Sequence, residues 1–278
     1  MAPFRYPGPI CQVKDWYASL DDGTLARVQS PLPGPVGLPT VAGQSPAPTL
    51  VKASGDCSFL NPRNSGTVIA PTAAFDRLRK NSGAAKISSP RQIASQTWLD
   101  GSSSPAVEQE IQIGDRTIKV IRPTDADASG KNLPTTVQVA EALRAIPAHQ
   151  RTHTTTVILS PRPHPDTTSK ETIAGTAGSG EITLFPISRP QSQNDFDNRL
   201  MHEAGHNYQE SLWRSGQDVK NWQIVATADN HLPSPYAGSN PGDDFCEFNI
   251  LYNTTQGTSC EATAMQMYPN RWRAMLVY

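Results

Sequence analysis

The chain has 278 residues, enough for one large domain or for a catalytic domain with a smaller N-terminal one. Charged residues make up only 18%, which excludes a charge-rich disordered protein, and 5 Trp, 7 Tyr and 7 Phe can anchor a core. The formal net charge of -1, with Lys and Arg scattered, provides no one-signed field to draw nucleic acid or an anionic membrane.

Along the chain, no apolar stretch approaches the roughly 20 residues that cross a bilayer. The first ten residues hold no apolar signal-peptide core. The expectation is therefore a protein that stays in the cytoplasm, leaves by a signal-less route, or is a mature form with an added Met. Cys11, Cys57, Cys246 and Cys260 form no CxxC pair. Two lie in each half, so one disulfide per half is possible, and four reduced thiols are the alternative.

Residues 1 to about 60 are rich in Pro and Gly, which favours extended segments and turns. Asp22-Gly23 suits a hairpin turn between two short strands. Residues 72–80 and 90–99 read as short helices. Residues 110–121 alternate apolar and polar around Gly114-Asp115 and predict a hairpin. Val139, Ala142, Leu143 and Ile146 recur at helical spacing, and Pro147 ends that helix. Residues 154–159 are β-branched and predict a strand stopped by Pro161 and Pro163. Residues 180–186 predict a second short strand, placed at a sheet edge by Pro186, whose Ile182–Leu184 stretch could pair with an extended substrate. A helix follows over 195–213, capped by Asp195 or Asp197, and another from about Pro241 to Asn253. This order predicts an α+β domain over 108–278, preceded by a Pro/Gly-rich region, 1–107, of unknown role.

The chemistry lies in His202-Glu203-Ala204-Gly205-His206, an HExxH motif. On a helix, positions i and i+4 share a face, so both imidazoles can reach one zinc ion. Glu203 lies beside them, where a carboxylate can take a proton from a metal-bound water. A third protein ligand must come from elsewhere, because no third His follows at the metzincin spacing: position 212 is Leu. Asp243 and Glu247 stand one helical turn apart; one can bind the metal while the other accepts a hydrogen bond from a ligating imidazole. Tyr236 can hydrogen-bond the oxyanion formed when water attacks a peptide carbonyl. Trp213 and Trp222 read as core, and Asn240 as a residue ordering the turn before Asp243.

Tyr236, Asn240 and the run Asp243-Asp-Phe-Cys-Glu247, following HExxH, resemble metallopeptidases similar to the catalytic domain of anthrax lethal factor, a gluzincin-like group. The resemblance covers roughly residues 135–260. It implies a zincin-like fold with a small mixed sheet, an active-site helix and a C-terminal helical part. It implies zinc held by His202, His206 and Asp243, with Glu247 hydrogen-bonding a ligand, Glu203 as catalytic base and Tyr236 at the transition state. Asp stands where that group has Glu, which leaves Glu247 as an alternative ligand, and Cys246 stands where Ala is usual. The expected activity is zinc-dependent hydrolysis of peptide bonds in a protein or peptide substrate, by a secreted or delivered effector or toxin-like protease. A catalytically weakened zinc-binding interaction module is the alternative, and a disulfide-stapled structural module a third.

Overall fold

The chain's computed structural model describes residues 11–14, 57–61, 66–128, 131–167, 173–213 and 215–277. In chain order the strands are β1 (Cys11–Lys14), β2 (Ala85–Ile87), β3 (Arg91–Thr97), β4 (Ser103–Ile113), β5 (Arg116–Pro123), β6 (Thr156–Leu159), β7 (Ile173–Gly178) and β8 (Glu181–Leu184). The helices are α1 (Thr72–Ser82), α2 (Asp125–Ala128), α3 (Thr136–Ala145), α4 (Ala148–Arg151), α5 (Gln193–Leu212), α6 (Gly216–Ala228), α7 (Pro241–Thr255), α8 (Glu261–Met267) and α9 (Pro269–Met275). Short 3-10 turns occupy Ser58–Leu60 and Tyr236–Gly238. The class is α+β, with a mixed sheet followed by a helical C-terminal part. The position expected to divide two regions, residue 107, falls inside β4. The hairpin expected around Asp22-Gly23 lies outside the described residues.

The sheet runs β1-β7-β8-β6-β5-β4-β2, with β3 also paired to β4. β6 is parallel to both β5 and β8, and the other pairs are antiparallel. The β4–β5 hairpin turns at Gly114-Asp115 as its alternation predicts, Gly114 supplying φ 61°. β7 and β8 turn through Ser179 (φ 53°) and Gly180 (φ 82°), the two positive-φ residues of a type I′ connection, whose twist matches the strands it joins.

Four expectations are corrected. Residues 90–99 hold β3 rather than a helix. Arg91–Thr97 is mostly exposed, so no apolar stripe was available for a helix to bury, and β4 supplies a long partner with Arg91 ion-paired to Glu108. The strand around Ile182–Leu184 is not an edge: β8 lies between β6 and β7, and Pro186 falls beyond its end. Helix α5 starts earlier than read, capped by Ser192 in a reciprocal arrangement with Asp195. The disulfide joins the two halves instead of lying within either: Cys57 pairs with Cys260, 203 residues apart, and Cys246 is a buried cysteine outside that bond. The fold brings Leu60 and Phe59, beside Cys57, against the C-terminal helices, so proximity in space overrode proximity in sequence.

Two apolar clusters meet at α5. Ile111, Val120, Val139, Leu143, Val157, Ile182 and Leu184 pack with Phe196, Leu200 and Ala204 between sheet and helices. On its other side, Met201 and Tyr208 join Val68, Phe75, Trp222, Phe245, Phe248 and Trp272. A helix covered on both sides is buried all round, and α5 is buried continuously from Phe196 to Tyr208. Polar side chains in that stretch must therefore find partners inside the protein.

Candidate metal centre

His202, Glu203 and His206 occupy this buried middle of α5, none of them more than 4% exposed. The next helix to reach them is α7, which Asn240 starts: its Oδ1 accepts the Asp243 backbone N–H at 2.9 Å, and Pro241 fills the first position, where a missing N–H costs nothing. α7 packs along α5 and presents Asp243, Cys246 and Glu247 to the motif.

The two imidazoles are oriented by different partners. His202 Nδ1 lies 2.8 Å from Glu247 Oε1, while Glu247 Oε2 accepts the backbone N–H of Val68 at 2.6 Å. His206 Nδ1 lies 3.1 Å from Cys246 Sγ and 3.2 Å from Gln209 Oε1. With both Nδ1 atoms so engaged, both Nε2 atoms face Asp243 Oδ1, at 3.6 Å from His202 and 3.5 Å from His206. The ring centroids are 4.9 Å apart at 76°. Asp243 Oδ2 accepts from Asn240 Nδ2 at 2.6 Å, which turns Oδ1 toward the rings. His202, His206 and Cys246 form a buried group whose ligand atoms all lie within 4.8 Å of one another, a set able to hold a metal ion.

Burial by itself lowers the His202 pKa, but the Asp243 and Glu247 carboxylates outweigh it and hold the group up to about 9. Burial raises Asp243, and the two histidines overcome this, holding it down to about 2. Glu203 is raised by burial, only partly offset by the histidines and Arg199. Among the described residues, neither Glu203 oxygen has a hydrogen-bond partner. The carboxylate lies against β7: a Cβ at Gly175 would fall on Glu203 Oε1 and within 2.8 Å of Cδ, so the strand approaches this closely only because residue 175 has no side chain.

The fold thus gathers His202, Glu203, His206, Asp243 and Glu247. Tyr236 joins them from its 3-10 turn, half-buried, its ring centroid 5.7 Å from that of His202. Trp222 is fully buried, as expected, and donates from Nε1 to Asp244 at 2.8 Å. Sequence reasoning missed Val68 and Gly175. Val68 acts through its backbone, which no residue type advertises. Gly175, in the run Ile-Ala-Gly-Thr-Ala-Gly of β7, carries a weak signal, since a glycine inside a strand marks close approach by another group. Among the described residues, no helix is long and apolar enough to cross a membrane. Comparison with models of known protein families, with curated proteins and with solved structures finds no match for this chain.

Proposed function

We propose that the chain is a zinc-dependent metallopeptidase resembling the lethal-factor catalytic domain, with His202, His206 and Asp243 as the metal ligands. The observation that carries this reading is the facing of two imidazole Nε2 atoms and one carboxylate oxygen, all buried, beside a second buried carboxylate that makes no hydrogen bond among the described residues. Donors about 2.1 Å from a tetrahedral zinc stand about 3.4 Å apart. The 3.5 and 3.6 Å separations fit that spacing. Asp243 is preferred to Cys246 because the thiol contacts the Nδ1 side of His206, away from the point that both Nε2 atoms face. Glu247 is preferred as the orienting group because both of its oxygens already have partners.

Zinc held there would supply a Lewis acid that polarises a carbonyl oxygen and acidifies water. The chain's own groups supply the rest. Glu203, poorly solvated against β7, accepts a proton at its carboxylate and returns one to the leaving amine. The Tyr236 phenol donates a hydrogen bond to the oxygen on which negative charge develops. Asn240 and Glu247 hold Asp243 and His202 in place while charge moves. The disulfide suits a protein that works outside the reducing cytosol, consistent with secretion or delivery as an effector protease on a protein or peptide substrate.

The test is cleavage of casein or a peptide library by zinc-loaded protein against Glu203→Gln. The variant should keep its zinc and lose about 10²–10⁴-fold in rate. Full activity in the variant would reject the scheme, and stoichiometric zinc without any turnover would identify a binding module instead.

A further inference from the structure

Residues 66, 68 and 70 hold three separate parts of the candidate centre in turn. The Gly66 carbonyl accepts the Tyr236 N–H at 2.7 Å. The Val68 N–H donates to Glu247 Oε2, whose other oxygen bonds His202. Ala70 donates its N–H to Asn198 Oδ1 at 2.8 Å, and its carbonyl accepts from Asn198 Nδ2 at 3.2 Å, one turn before the motif on α5. The contacts fall on every second residue of the run. One short run thus ties the Tyr236 turn, α7 and α5 together through main-chain groups. Val68 and Ala70 are also buried in the core shared with α7.

Just upstream, the run is tethered a second time. Cys57 is bonded to Cys260, which precedes α8, and the Leu60 carbonyl accepts the Tyr268 hydroxyl at 2.7 Å. From this arrangement we infer that residues 66–70 are a positioning element of the metal centre, held in place by the Cys57–Cys260 disulfide, so that breaking the disulfide weakens metal binding while the domain stays folded. The inference rests on the metal-centre reading above. Reduction by a dithiol breaks the Sγ–Sγ bond; each cysteine sulfur gains an electron and a proton, and the dithiol is oxidised to its cyclic disulfide. Loss of the tether loosens the amide that holds Glu247, and with it the orientation of His202. Groups that orient metal ligands typically control affinity by 10–100-fold.

The test compares zinc affinity, by competition with a chelating fluorophore, for the full chain and for Cys57→Ser/Cys260→Ser, with circular dichroism reporting the fold. The folded variant should bind zinc about tenfold or more weakly. At saturating zinc its kcat should fall while KM changes less than about threefold, because Tyr236 and His202 are disturbed and the substrate contacts are not. Asn198→Ala, which releases the Ala70 end and leaves the disulfide intact, should weaken zinc in the same direction. A double variant that does not fold would overturn the disulfide half of the inference, and Asn198→Ala then decides whether residues 66–70 position the centre. Affinity within twofold of the full chain in the folded variants would overturn the inference. Zinc binding without cleavage by the full chain would remove the peptidase reading and leave this one standing; absence of zinc binding would remove both.

Discussion

At the residue scale, the proposed zinc centre turns on which atom of α7 would complete its ligand set. Cys246 and Asp243 both lie near His206, but they meet opposite ring nitrogens. A His bound through Nε2 is fixed by what its Nδ1 contacts, so on the proposed reading the thiol is an orienting neighbour and the carboxylate the ligand. Asp243→Ala is therefore expected to lower zinc affinity by more than about 100-fold, whereas Cys246→Ala lowers it by about tenfold or less. Metal titration of the two variants checks this, and the reverse ranking would make Cys246 the ligand. α7 packs directly along α5 and brings the short Asp243 side chain to 3.6 Å from His202 Nε2, which on the proposed reading is why Asp can serve as the ligand.

At the scale of elements, β7 and α5 meet so closely that Gly175 lies directly against the fully buried Glu203 carboxylate. The close approach is what leaves that carboxylate buried and more basic than usual. Gly175→Ala inserts a methyl group where the carboxylate stands. Overpacking of this kind costs about 1–3 kcal/mol, and displacing a reacting group by about 1 Å costs roughly 10²-fold in rate. The expected result is a lowered Tm together with a kcat loss of that size and retained zinc. In Gly175→Ala/Glu203→Ala the stability penalty should shrink, since the colliding group is gone. An undiminished penalty, by thermal unfolding of the metal-free proteins, would place the strain elsewhere.

At the scale of the whole molecule, metal-free folding stability depends on the charges buried at this centre. His202 is held up to about 9 against an ordinary 6.5, so the stability it contributes is fully present below 6.5 and is lost as pH rises through about 9. Asp243 is held down to about 2 from an ordinary 3.8, so its contribution is present above 3.8 and is lost as pH falls through about 2. Calorimetry of metal-free protein should show Tm falling between pH 6.5 and 9.5. A Tm that stays level or rises over that window would contradict the pairing of His202 with the two carboxylates. Zinc should add about 2.7 kcal/mol at a free concentration 100 times its Kd, provided it binds only the folded state. The buried network of Arg271 with Asp244 and Asp229 anchors α9 to α7 and to the end of α6, holding the C-terminal helices behind Asp243.

Sequence alone determined the elements whose signals are local. The β4–β5 hairpin, helices α3, α5 and α7, and strands β6 and β8 follow from periodicity, capping residues and glycine turns, because those forces act within a few residues. The motif on α5 was legible for the same reason: one helical turn brings His202 and His206 to one face whatever surrounds them. Tertiary structure decided what depends on residues distant in the chain. It paired Cys57 with Cys260, put β8 inside the sheet, made Arg91–Thr97 a strand, and brought the Val68 amide to Glu247. It also turned Asp243 and Cys246 toward opposite nitrogens of His206, a distinction of side-chain direction that spacing along a helix does not encode. Contacts between distant segments form because they bury apolar surface and satisfy backbone groups together, and that joint condition is a property of the packed chain rather than of any stretch within it.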